Sequence, residues 1–208
     1  FMLTAVLPKL FDEKRMDEVK IHLKYSLKYF LSMAIPSVFG LSILSRQLLI
    51  IFSTKEIADN AYFVTPFIAL SILLYGVSCF FDQTLVLAKK TKVSGTIWLF
   101  AALLNIVLNI ILIPIFGILA AALTTFLSYL FVFGSIWYFS FKELQFGIDW
   151  GFIIKSIIAS VLMVLFVVWL NPVGLLKVLI AISLAAVIYG ILILLFKGIS
   201  KKELSFFR

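Results

Sequence analysis

With 208 residues, 63% of them hydrophobic and only 13% charged, and a mean hydropathy of +1.18, the chain is too apolar for a soluble domain, which carries about 25% charged residues. Its net charge of +8 does not mark a nucleic-acid binder, because the basic residues fall in short clusters between long runs of Leu, Ile, Phe and Val. About 20 apolar residues cross a bilayer core of roughly 30 Å, and the runs of that length predict an all-α integral membrane protein, a polytopic bundle of six transmembrane helices.

The chain opens in FMLTAVLP, already apolar and without the basic lead-in and cleavage site of a signal peptide. It reads as the last turns of a membrane helix that begins before Phe1. Residues 1–25 are expected to hold that helix end and a cytoplasmic amphipathic linker. In the linker, Lys9 to Lys28, with Phe11, Val19, Ile21, Leu23 and Tyr25 as its apolar side, lies as a helix on the anionic inner leaflet. The lone His22 belongs to this segment as a solvated or interfacial residue.

Residues 26–139 are expected to hold four spans. The first runs from about Ser26 to Phe52 and contains Pro36 and Gly40, kink or hinge positions. Arg46, near its outer end, has two readings: it snorkels to the headgroups, or it meets a phosphate from inside a cavity. The second span, about Ala61 to Ala88, carries Cys79, which packs as a small apolar group, and then Asp82 and Gln83. Asp82 is either an interfacial carboxylate near Lys89 or Lys90 or a cavity-facing group. The third span covers about Val93 to Ile113 and the fourth Gly117 to Phe139, joined by a very short corner at Pro114 to Phe116.

This third and fourth pair is the most informative stretch, LLNIVLNIILIPIFGILAAALTTFLSYL. Asn105 and Asn109 share a helical face, and Asn105 lies near the bilayer centre, about 18 Å into its span by the helical rise. In hydrocarbon an amide needs a partner helix, a water-lined cavity or a ligand. The partners on offer are Thr124, Thr125 or Ser128 of the next helix, or a transport cavity. Gly117 and the small residues Ala120, Ala121 and Ala122 permit close helix approach. Residues 140–196 hold an added helix pair, about Phe152 to Leu170 and Leu175 to Phe196, reversed at Asn171-Pro172 and Gly174. Residues 197–208 form a basic cytoplasmic tail.

Of the 18 Lys and Arg residues, all but Arg46, Lys55 and Lys177 fall on one side of this alternation. The positive-inside rule makes that side cytoplasmic and puts both chain ends there. An odd number of spans after Lys28 would separate the KKTK cluster from the tail. The sequence has no His/Cys/carboxylate cluster, no P-loop and no dinucleotide turn. It reads as no enzyme, with no cofactor, no metal site and no nucleic-acid partner.

At these residues the chain resembles the polysaccharide flippases of the MATE-like multidrug/oligosaccharidyl-lipid/polysaccharide exporter (MOP) superfamily, in their C-terminal half. The carrying motifs are Leu7-Pro8, SLKYFLSMAIP to Pro36, FGLSILSRQLLIIFS to Ser53, FDQTLVLAKKTKVSG from Phe81, and LLNIVLNIILIPIFGILAAALTT. Leu119-Ala120 departs from the Gly-Ala of many relatives. The resemblance implies two six-helix lobes around a central cavity with alternating access. The first four spans would complete the second lobe, the last two would be an extra pair, and an N-terminal lobe of the same protein would precede Phe1. It also implies transport of polyprenyl-diphosphate-linked saccharide units across the cell (cytoplasmic) membrane for polysaccharide biosynthesis. Asn105, Asn109, Asp82, Gln83 and Arg46 then become substrate-path positions, and Pro36, Gly40, Pro114 and Gly117 hinge or kink positions. Two other readings stay open: a cation-coupled small-molecule antiporter, for which only Asp82 offers a carboxylate, and a noncatalytic membrane partner or half-transporter.

Overall fold

The computed structural model describes residues 2–198, except for the side chains of residues 2–5. The expected basic tail lies, beyond Gly198, outside the described residues. These residues form helices and connecting turns, with no strand among them. In chain order the helices are α1 (Met2–Asp12), α2 (Met16–Ile43), α3 (Ser45–Phe52), α4 (Lys55–Ala61), α5 (Val64–Leu87), α6 (Thr91–Phe116), α7 (Ile118–Glu143), α8 (Trp150–Leu170) and α9 (Leu175–Leu195). Six of them, α2 and α5 to α9, are long and apolar enough to cross a bilayer. The chain is an all-α, multi-pass membrane protein.

The contacts divide the chain into two compact units. One is Phe1–Tyr29 with Leu70–Ile148, the other Phe30–Ala69 with Asp149–Arg208. Helices α2 and α5 each contribute one stretch to either unit.

In the first unit the amphipathic lead-in is divided between two helices. Lys9 to Asp12 close α1, and from Met16 on it is the first half of α2, which runs on without a break into the span. Val19, Leu23 and Leu27 are buried in the protein, together with Leu7 and Leu10 of α1. The apolar stripe at i, i+4, i+8 therefore packs on protein; of the apolar residues named there, Ile21 is exposed. At the α1–α2 turn, the Arg15 guanidinium donates twice to Glu18, at 2.7 Å, and once to Glu13, at 3.1 Å. These carboxylates hold its pKa above the ordinary arginine value.

The same unit packs α6 against α7. Ala120, Thr124, Ser128, Val132, Ile136 and Ser140 are all buried on α7, an i, i+4 ridge whose small members let backbones approach closely. Opposite Ser140, the buried Thr84 of α5 lies with its hydroxyl 2.7 Å away. Phe81 of α5 stacks on Phe146, with centroids 4.9 Å apart. Lys90 pairs with Glu143 at 2.6 Å and ties the α5–α6 turn to the end of α7.

The α6–α7 corner is tighter than expected. Pro114 to Phe116 stay helical, and Gly117 alone makes the turn, at φ 59° and ψ −140°. Its N–H donates to Ile113 O at 2.8 Å and its carbonyl accepts from Ala120 N at 3.0 Å, so it closes one helix and opens the next. Pro114, in the last turn of α6, has no N–H to give to Ile110 O.

In the second unit, the stretch expected as one span to Phe52 breaks at Leu44 (φ −91°, ψ 5°), and the helix passes through Pro36 and Gly40 uninterrupted. After α3, Thr54 caps the short helix α4 by accepting from Ile57 N at 3.3 Å. The pair α8 and α9 reverses at Asn171, in the left-handed region, and Gly174, at φ 85°. Leu44, Met163, Val167 and Ala185 form a buried cluster with Phe39, Ile43, Leu48, Val164 and Tyr189 packed around it. The hydroxyls of Ser156 and Tyr189, 2.8 Å apart, join α8 to α9.

Candidate functional site

Asn105 and Asn109 stand one turn apart on α6, Asn105 about 21 Å along it by the helical rise. Both are partly buried. The Asn109 Nδ2 donates to Asn105 Oδ1 at 2.9 Å, and the Thr124 hydroxyl of α7 lies 2.6 Å from Asn109 Oδ1 and 3.0 Å from Ala121 O. The polar groups form a chain from α7 through Asn109 to Asn105. Of the three partners offered by the sequence, Thr124 is the one reached. Thr125 and Ser128 instead donate to carbonyls of their own helix, Ala121 O and Thr124 O, both at 2.8 Å. Among the described residues, the Asn105 amide nitrogen has no acceptor, so the chain ends in an open donor pair.

Asp82 and Gln83 are partly buried near the end of α5. Asp82 Oδ1 is shielded and, among the described residues, has no hydrogen-bond partner. The Lys90 ammonium, one of the two partners considered for it, is 2.6 Å from Glu143 Oε1. An acceptor left unsatisfied in a low-dielectric setting costs free energy, so a hydrogen-bond donor would be stabilised beside it.

Arg46 meets a carboxylate of the next helix. Its Nη2 and Nε converge on Asp59 Oδ1 at 2.6 and 2.8 Å, fastening α3 to α4. Both side chains are close to half exposed, and an exposed pair of this kind contributes about 0.2–1 kcal/mol. Arg46→Ala is therefore expected to cost the full-length protein less than about 1 kcal/mol in a chemical-denaturation midpoint. A larger loss would show that the guanidinium holds more than this pair.

Pro36 and Gly40 line an apolar cavity of about 660 Å³ in the second unit, facing Met163 of α8 and Ala185 and Tyr189 of α9. A Cβ on Gly40 would sit 4.0 Å from the Met163 methyl, an ordinary contact. Pro36 and Gly40 thus meet the pair α8 and α9.

Several groups escaped the sequence reading. Lys28 is only 5% exposed although it belongs to the basic lead-in. Gln47 of α3 has a shielded Oε1 without a partner among the described residues. Asp59 sits on α4, a helix that Thr54, ahead of Lys55 and Glu56, could have revealed as an N-cap. Among the described residues, no three His, Cys, Asp or Glu side chains come together as a metal site.

Residues 3–111, just over half of the chain, match the MatE family. The chain belongs to the MatE family. It is thus a member of the MATE-like superfamily that its motifs resemble. This MatE-family chain is similar in fold to a solved structure described as "Lipid II flippase MurJ, inward closed conformation", with a TM-score of 0.74 and 24% identity. The match covers 93% of this chain and 42% of that one, so the chain spans well under half the length of the structure it resembles. No curated protein sequence matches it.

Proposed function

We propose that this MatE-family chain is the C-terminal part of a flippase that moves polyprenyl-diphosphate-linked saccharide units from the inner to the outer leaflet of the cytoplasmic membrane. The observation that carries the reading is the likeness of nearly the whole chain to part of a lipid II flippase, joined to its place in the MatE family. Physical chemistry supports it. A glycan stripped of water in hydrocarbon loses its hydroxyl hydrogen bonds, so the protein must offer a polar path while the lipid tail stays in the bilayer. The open amide of Asn105 and the carboxylate of Asp82 are the groups of the first unit suited to line it, with Asn109 and Gln83 next to them on their helices, and Arg46 is the candidate of the second unit. A diphosphate calls for cations. Arg46 already holds Asp59, which leaves most of that recognition to an N-terminal lobe of the same protein.

Depleting the full-length protein tests the reading in cells: the lipid-linked saccharide should accumulate on the inner leaflet, reachable by an impermeant glycosidase in inverted vesicles only. Equal access from both faces after depletion would reject it. Orientation has its own test. With Cys79 replaced by Ala, Lys92→Cys should react with an impermeant maleimide only in inverted vesicles, and Lys55→Cys only in right-side-out cells. The opposite pattern would invert the topology.

A second reading, a cation-coupled small-molecule antiporter, is favoured by one observation, the unpartnered Oδ1 of Asp82. It requires exchange of a cationic solute for protons or Na⁺, abolished by Asp82→Asn.

A further inference from the structure

Three rings meet in the first unit, one each from α5, α6 and α7. The Tyr75 centroid lies 5.7 Å from that of Trp98 and 5.5 Å from that of Tyr129, and Trp98 and Tyr129 are 6.4 Å apart. None is buried, and Tyr75 is 44% exposed. Depth is informative here. Tyr75 is the twelfth of the 24 residues of α5 and Tyr129 the twelfth of the 26 of α7. Both stand about 16 Å from the helix start by the helical rise, too deep for a headgroup aromatic belt. The Tyr75 hydroxyl has the Cys79 thiol, one turn on, within hydrogen-bond reach, whereas the Tyr129 hydroxyl at the same depth would lose its water partners in hydrocarbon and so implies a face that is at times hydrated.

The same helix faces carry polar groups in need of partners. Asp82, seven residues after Tyr75, shares its face of α5, and its Oδ1 lacks a donor among the described residues. Asn105, seven residues after Trp98, shares its face of α6 and carries the open amide nitrogen described above. An exposed ring cluster between an acceptor and a donor is no ordinary packing core.

We propose that Tyr75, Trp98 and Tyr129 form a platform on which the saccharide of the lipid-linked substrate packs, with Asp82 and Asn105, each about 10 Å from the rings along its own helix and in opposite directions, meeting hydroxyls of the sugars to either side. This rests on the flippase reading and names the part of the cargo that this lobe reads. A pyranose presents hydroxyls around its rim and C–H groups on its face. The C–H hydrogens carry partial positive charge and settle on the negative face of an aromatic ring, while a carboxylate accepts and an amide NH₂ donates at the rim. A polyprenyl tail has no use for either polar group, and a diphosphate would be repelled by Asp82. The sugar is the portion whose chemistry matches all five residues.

The test is a binding titration of the full-length protein with two probes, a fluorescent polyprenyl diphosphate bearing a saccharide and the same lipid without it. Tyr75→Leu and Trp98→Leu should each weaken binding of the glycosylated probe by about two- to tenfold, the range of one aromatic contact, and leave the sugar-free probe unchanged. Tyr75→Phe, which keeps the ring, should stay within about twofold. Thermal melting confirms folding, and Trp98→Phe with Tyr129→Leu replaces Trp98→Leu if that variant does not fold. Equal losses for both probes, or no loss for either, would overturn the platform alone. Failure of the unmutated protein to bind either probe would overturn the flippase reading, and the platform with it.

Discussion

An Asn109→Leu variant of the full-length protein is expected to lose about 1–2 kcal/mol of stability, the upper range for a polar contact between membrane helices. Asn109 is the middle of the amide chain: it accepts from Thr124 and donates to Asn105. Leucine has a broadly similar size but leaves Asn105 Oδ1 without its donor. The Thr124 hydroxyl can fall back on Ala121 O, 3.0 Å away, which limits the damage on the α7 side. Transport should fall by about tenfold, equivalent to roughly 1.4 kcal/mol, since the loss frees the amide of Asn105 to turn from its present position. A double-mutant cycle with Thr124→Val separates the effects: the two substitutions should couple by more than about 0.5 kcal/mol. Strict additivity would mean that the 2.6 Å contact contributes nothing.

Gly117→Ala is expected to be as damaging for a different reason. At φ 59° and ψ −140° the residue occupies a region that L side chains rarely adopt, and no heavy atom lies within 4 Å of where its Cβ would be. The cost is therefore conformational, about 1–3 kcal/mol. Gly134, in the interior of α7, also has open space where a methyl group would go, but an ordinary helical backbone. Gly134→Ala should be neutral or stabilising by up to about 1 kcal/mol. Equal behaviour of the two variants in thermal unfolding would show that the α6–α7 corner does not depend on its single glycine.

The contrast between these sites explains what could be read in the sequence. Six long apolar helices were legible because length and hydropathy suffice to mark a span. The Asn105–Asn109 pair was legible for a related reason: a polar amide in an apolar run has few ways to be satisfied, and Thr124 was among the partners named. What escaped depends on contacts distant in sequence. Nothing in the residues around Arg46 points to Asp59, 13 residues on, because their meeting depends on a break at Leu44 and a second helix after Ser53. The lead-in from Lys9 to Lys28 has the same amphipathic pattern whether its stripe meets a leaflet or protein. Only the packing of Val19, Leu23 and Leu27 decides it. Tyr75, Trp98 and Tyr129 belong to three different helices and declare themselves only when those helices assemble.

Family and fold are established, and transport itself is the quantity that decides the function. The most direct measurement reconstitutes the full-length protein in proteoliposomes loaded with a fluorescent polyprenyl-diphosphate-linked saccharide and follows quenching by an impermeant reductant. Without flipping, about half of the label, that of the outer leaflet, is quenched. The flippase account requires nearly complete quenching in protein-containing vesicles, with the extra component slowed in Asn109→Leu. Quenching that stops at the outer leaflet, in vesicles that exchange a cationic drug for protons, would contradict the account and place the function at Asp82.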